Sequence, residues 1–151
     1  MLLRLAERMR RLRADERGFT LIELLVVVVI IGVLVGIALP RFLGQADKAK
    51  EKAALSDLRA MKSVLEVYIA DEGNGVAPAN TYAQAVLENG GIKNKKDPWA
   101  GSYYYLKGTS DDQYEIYCQH GTTYYYVSDA SEPTSGTAPP YGTTGAQKLW
   151  P

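Results

Sequence analysis

Residues 19–39 constrain this chain more than any other stretch. From Phe19 to Leu39 only Thr20 and Glu23 are clearly polar. At about 1.5 Å rise per residue, such a run forms a helix long enough to cross a bilayer core. Six arginines precede it and no basic residue lies within it. Positive charge ahead of a spanning helix holds that end in the cytoplasm, so the segment after Leu39 is expected outside. The rival is an ordinary secretory signal, with Gly36-Ile37-Ala38 as a small-x-small cut site. The run exceeds the usual apolar core of about 7–15 residues, and Pro40 would follow such a cut directly. That reading also leaves Glu23 unexplained, although a carboxylate inside a spanning helix costs about 2.5–3.5 kcal/mol and normally has a partner.

Gly18-Phe19-Thr20-Leu21-Ile22-Glu23, with the apolar run and Pro40 after it, resembles the processing signature of type IV prepilins and type II secretion pseudopilins. The resemblance implies cleavage after Gly18 by a membrane prepilin peptidase and methylation of the new N-terminal Phe19. It also implies packing of the freed helices into a filament. The cut creates an α-amine on Phe19 that is largely charged at neutral pH. Glu23, four residues on, is its plausible partner, either within one chain or between neighbours, where the pair would set the register of the polymer.

A second resemblance lies further on. Asp97-Pro98-Trp99, followed by Tyr103 and Tyr105, is similar to the Asp-Pro-Trp-Gly segment and aromatic strand of the major pseudopilin of type II secretion. Two departures stand out. Ala100 occupies the place where that family usually has glycine, and its calcium-binding loop rich in glycine and aspartate has no clear counterpart.

Gly32 and Gly36 form a G-x-x-x-G pair that permits close helix approach, though glycine is also simply common in spanning helices. Pro40 removes a backbone donor and clashes with the carbonyl of Gly36. Residues 32–40 are therefore the weakest helical segment, expected to kink or melt in a polymer. Beyond them Ala54, Leu58, Met61, Leu65 and Tyr68 recur at helical spacing and predict an apolar stripe that docks the following domain. The charged run Asp47 to Lys52 reads as a solvated or intersubunit face. Gly73-Asn74-Gly75 should end the helix.

A short helix over residues 82–88, capped by Asn80 or Thr81, should stop at Asn89-Gly90-Gly91. Three tyrosine-rich runs, 102–106, 113–118 and 123–127, predict antiparallel strands joined as hairpins. Residues 128–151 are rich in Ser, Thr, Gly and Pro and read as irregular, pinned by Tyr141 and Trp150.

Cys118 is the single cysteine, so no internal disulfide is available. With His120 it suggests a metal pair or a nucleophile and base, but no further Cys or His could close a zinc site. Alternation with Tyr114 and Ile116 favours a buried structural cysteine, with His120 in a turn. Asp111, Asp112, Asp129 and Glu132 are calcium candidates, chiefly by family analogy. Consecutive tyrosines, Tyr103 to Tyr105 and Tyr124 to Tyr126, should alternate between an inward and an outward face. After residue 18 the chain holds eleven basic and fourteen acidic residues, without a basic stripe, so nucleic acid is not an expected partner.

The expected fold is α+β and pilin-like, a lollipop whose long N-terminal helix packs against a small antiparallel sheet. Its parts are a leader over 1–18, a transmembrane and assembly half over 19–39, an amphipathic half over 40–72 and a head over 73–151. The expected function is structural: a prepilin subunit of a type IV pilus, with a type II secretion pseudopilin as alternative and a single-pass anchored binding protein as a further one. Expected partners are copies of itself, the peptidase, an assembly platform with other pilins, and the cytoplasmic membrane. Neither catalysis nor a cofactor is expected, calcium being the one open case.

Overall fold

The computed structural model describes residues 19–150; the leader over 1–18, with Gly18 itself, lies outside them. The described elements are helix α1 (Leu21–Asp71), helix α2 (Ala83–Asn89), and strands β1 (Tyr104–Lys107), β2 (Tyr114–His120), β3 (Thr123–Ser128), β4 (Ser131–Gly136) and β5 (Gln147–Lys148). The architecture is α+β, and the chain forms two compact units that divide between Gly44 and Gln45.

The described part of the first unit, from Phe19 to Gly44, is largely apolar and exposed. Its large side chains from Leu21 to Leu39 are all exposed, as are Phe42 and Leu43. The exposed apolar surface thus continues past Leu39, and the compact second unit starts at Gln45. By length and composition α1 is able to cross a membrane.

The second unit has one hydrophobic core. Ala54, Leu58, Met61 and Leu65 are completely buried on α1, as their spacing requires, and Tyr68 packs at the edge. Lys62 joins the buried face; its ammonium reaches the Ser131 carbonyl at 2.9 Å while its stem covers apolar surface. After Asp71 the chain turns through Asn74 and Gly75, both with positive φ, and the amides of Gly73 and Gly75 satisfy the carbonyls of Tyr68 and Ile69.

The sheet is antiparallel with strand order β4-β3-β2-β1-β5. Tyr105 faces Ile116, which faces Val127, and this row packs with the α1 stripe. Two hydroxyls tie the layers together: Tyr103 donates to Asp57 on α1 at 2.9 Å, and Tyr105 donates to the Pro78 carbonyl at 2.8 Å. The tyrosine alternation holds, with Tyr103, Tyr105 and Tyr125 buried and Tyr104, Tyr124 and Tyr126 half-buried.

Three expectations need correction. Residues 128–151 are not irregular throughout: Ser131–Gly136 pairs with β3, and Gln147–Lys148 pairs with β1. Backbone groups at each sheet edge recruited segments whose composition alone favours coil. Asn80 does not cap α2; its amide bridges the Gly145 carbonyl and the Lys107 N–H, and Tyr82 at the cap position makes no side-chain bond. His120 is the last residue of β2 rather than a turn residue, and its ring stacks on Trp99 at 4.6 Å.

Candidate functional site

The helix begins where a side-chain cap allows it. The Thr20 hydroxyl accepts from the Glu23 N–H at 3.3 Å. Glu23 Oε2 accepts in return from the Thr20 N–H at 2.9 Å and the Thr20 hydroxyl at 2.7 Å. This reciprocal arrangement is a capping box, which satisfies amide groups that the first helical turn leaves orphaned. The Thr-x-x-Glu spacing is itself the capping-box pattern, so Glu23 serves as a cap as well as a charge. The cap fixes Oε2 at the start of α1, and among the described residues no hydrogen bond reaches Oε1.

Phe19 is 77% exposed and stands immediately before this cap. Around it Ile22, Val26 and Val27 make an apolar surface in which Glu23 is the one charged group among the described residues. Gly32 and Gly36 face open space, since a Cβ at either would meet nothing within 4 Å. Pro40 lies inside α1, which runs through it without a break.

The other predicted residues do not converge. Cys118 is fully buried on the face it shares with Tyr114 and Ile116, and burial pushes its thiol up to about 12. Such a thiol is inert at neutral pH. Asp129 uses Oδ1 to accept from the Tyr114 N–H at 3.3 Å and the Tyr141 hydroxyl at 2.7 Å. The Asp111 carbonyl accepts from the Ala77 N–H, and Glu132 lies near Lys62 and Arg59 instead. Among the described residues no three His, Cys, Asp or Glu side chains come together as a metal site.

Glu115 escaped the sequence reading. It is completely buried on the sheet face away from the α1 stripe, and its Oε2 accepts from the Tyr141 N–H at 2.9 Å. Its Oε1 has no partner among the described residues. Tyr141, 26 residues further along the chain, supplies the Oε2 contact, for which the sequence carries no local signal.

The loop Asp97-Pro98-Trp99-Ala100-Gly101 is organised by the Asp97 carboxylate, whose Oδ1 accepts from the Trp99 N–H at 2.9 Å and the Gly101 N–H at 2.8 Å. Trp99 lies between His120 and Tyr125, stacked on both. This loop therefore anchors the start of the aromatic strand.

Residues 13–39 match the family described as prokaryotic N-terminal methylation motif. Across the longer chain, type II secretion system core protein G of Vibrio cholerae is 36% identical over an alignment of 119 positions, spanning 68% of this chain and 81% of the relative. The protein of the same description from Klebsiella pneumoniae is 31% identical over 115 positions, spanning 68% and 82%. That from Pseudomonas aeruginosa is 30% identical over 120 positions, spanning 70% and 83%. No solved structure matches the chain. An apolar helix that opens on a methylation motif, joined to a head that keeps its likeness to core protein G, places this chain in the type IV pilin and type II secretion pseudopilin family.

Proposed function

We propose that the chain is a major-pseudopilin-like subunit of a type II secretion pseudopilus, cut after Gly18, methylated on Phe19 and polymerised through α1. Of the two filament readings this is the alternative rather than the first choice, the type IV pilus. The likeness to core protein G carries it: 119 aligned positions reach far beyond the motif at 13–39 and into the head. The Asp97-Pro98-Trp99 loop supports the same choice.

In this reading the subunit waits in the cytoplasmic membrane with its head outside, anchored by α1. Cleavage frees the Phe19 amine next to a carboxylate already held in place by Thr20. Glu23 Oε1 then receives that amine from a neighbouring chain. An unpaired charge in a dry helix bundle costs several kcal/mol, enough to select one register over others.

Capping and charge pairing are separable. Glu23→Gln can preserve the capping box, because glutamine also serves at that position, but it removes the charge. We expect Glu23→Gln and Glu23→Ala to be cut and inserted like the unmodified chain, and both to be depleted from sheared polymer. Normal polymer from Glu23→Gln would reduce Glu23 to a helix cap and overturn the pairing. Tandem mass spectrometry of the N-terminal peptide should find methylated Phe19; an N-terminus at Met1 or Leu39 would refute processing. Deleting the gene separates the two filament readings. Loss of exported proteins from the medium is expected for a pseudopilus, whereas loss of surface filaments with export intact would restore the pilus.

A further inference from the structure

A groove of about 370 Å³ opens between the end of α1 and α2. Val64 and Val67 form one wall, Tyr82 and Val86 the other, and among the described residues Asp71 and Glu72 are the charged ones that line it. Val67 is 65% exposed and Tyr82 45%, so each wall has one apolar residue open to solvent, while Val86 belongs to the core. The helices meet closely beneath it, since a Cβ at Gly90 would press on the Val64 side chain. The groove is thus a formed feature of the second unit, apolar inside and acidic at its rim.

The chain also carries a segment of the opposite character. Phe42 is 70% exposed and Leu43 56%, beyond the 19–39 run expected to lie in lipid, and the basic Arg41 precedes them. An aromatic side chain beside one guanidinium complements an apolar slot beside two carboxylates. Resting on the filament reading above, we propose that this groove receives Phe42 of a second copy, with that copy's Arg41 against Asp71 and Glu72. The two patches differ, so each copy offers a groove to one neighbour and a Phe42 to another. Such heterologous contacts propagate as an open array rather than closing into a dimer. One aromatic anchor is far smaller than a stable pairwise interface, so the contact holds only where the array repeats it.

Cysteine pairing tests this in cells producing the full chain. Cys118 is completely buried and supplies no background. A Phe42→Cys/Val67→Cys double variant, treated with a mild oxidant, should give a ladder of dimer, trimer and higher species. Each single variant alone should give none, and the two singles produced together should give dimers only. Phe42→Ala should lower the yield of sheared polymer about tenfold, the effect of losing one buried aromatic contact. Normal polymer from the double variant with no ladder would overturn the docking while leaving the filament reading intact. Absence of any polymer from the unmodified chain would overturn both.

Discussion

Ala100 has φ 66, in the left-handed region where an L side chain is strained and glycine is not. It holds that conformation because its neighbours over-determine it: its N–H reaches the Asp97 carbonyl at 3.0 Å, while Asp97 Oδ1 takes the amides on either side. The one residue that departs from the Asp-Pro-Trp-Gly pattern thus sits where the pattern has a conformational reason. Ala100→Gly should stabilise the chain by about 0.5–1 kcal/mol, relief of backbone strain outweighing the added freedom of the unfolded state. Thermal unfolding in detergent, followed by circular dichroism, should show a higher midpoint. The neighbouring position allows no such exchange, since a Cβ at Gly101 would meet Asp97 Oδ2 at 2.5 Å. Gly101→Ala should lower the midpoint.

At the scale of the element, α1 combines two demands. Its first turn is secured by the Thr20–Glu23 box, and its later turns by complete burial of Ala54, Leu58, Met61 and Leu65. Between these anchors lie Gly32, Gly36 and Pro40, all within one uninterrupted helix. Substitution to alanine adds about 1 kcal/mol of helix propensity at each glycine and about 3 kcal/mol at the proline. The triple alanine variant should insert and be cut normally, exchange its amide hydrogens more slowly over 32–40, and polymerise poorly. Unchanged polymer yield together with slower exchange would show that assembly does not require this segment to open.

Over the whole molecule, the tail decides the character of the sheet's second face. Tyr141 donates its N–H to Glu115 and its hydroxyl to Asp129. Burial pushes the Glu115 carboxyl up to about 7, opposed by the Tyr141 N–H. In the unfolded chain the same group ionises near its ordinary value of about 4.3. Between those values the folded chain keeps a proton that the unfolded chain has lost. The contribution is therefore fully present below about pH 4, drains away up to about pH 7, and is gone above it. Glu115→Gln, which stays neutral, should gain about 1–3 kcal/mol over the unmodified chain at about pH 8 and lose that advantage by about pH 4. Unfolding midpoints of the two chains across that range check it, and parallel curves would show that Glu115 does not titrate there.

The sequence alone determined what repeats locally. Apolar residues without a break predict a spanning helix, a 3–4 spacing predicts the stripe from Ala54 to Leu65, and period-two tyrosines between turn residues predict β1 to β3 and their alternation. The Thr20–Glu23 box is local in the same sense, because its spacing alone specifies the cap. What tertiary structure decided is of another kind. Ser-Glu-Pro-Thr-Ser-Gly has no strand pattern, yet it is β4 because the edge of β3 offers unpaired backbone groups and Lys62 holds Ser131. Pro133 is tolerated because β4 is an edge strand with an irregular register opposite Tyr126 to Ser128. Glu115 is buried, and Asn80 is diverted from capping, by residues 26 and 65 positions away along the chain. Periodicity reports which face of an element is apolar; only the folded chain reports which distant backbone and side-chain groups close over the other face.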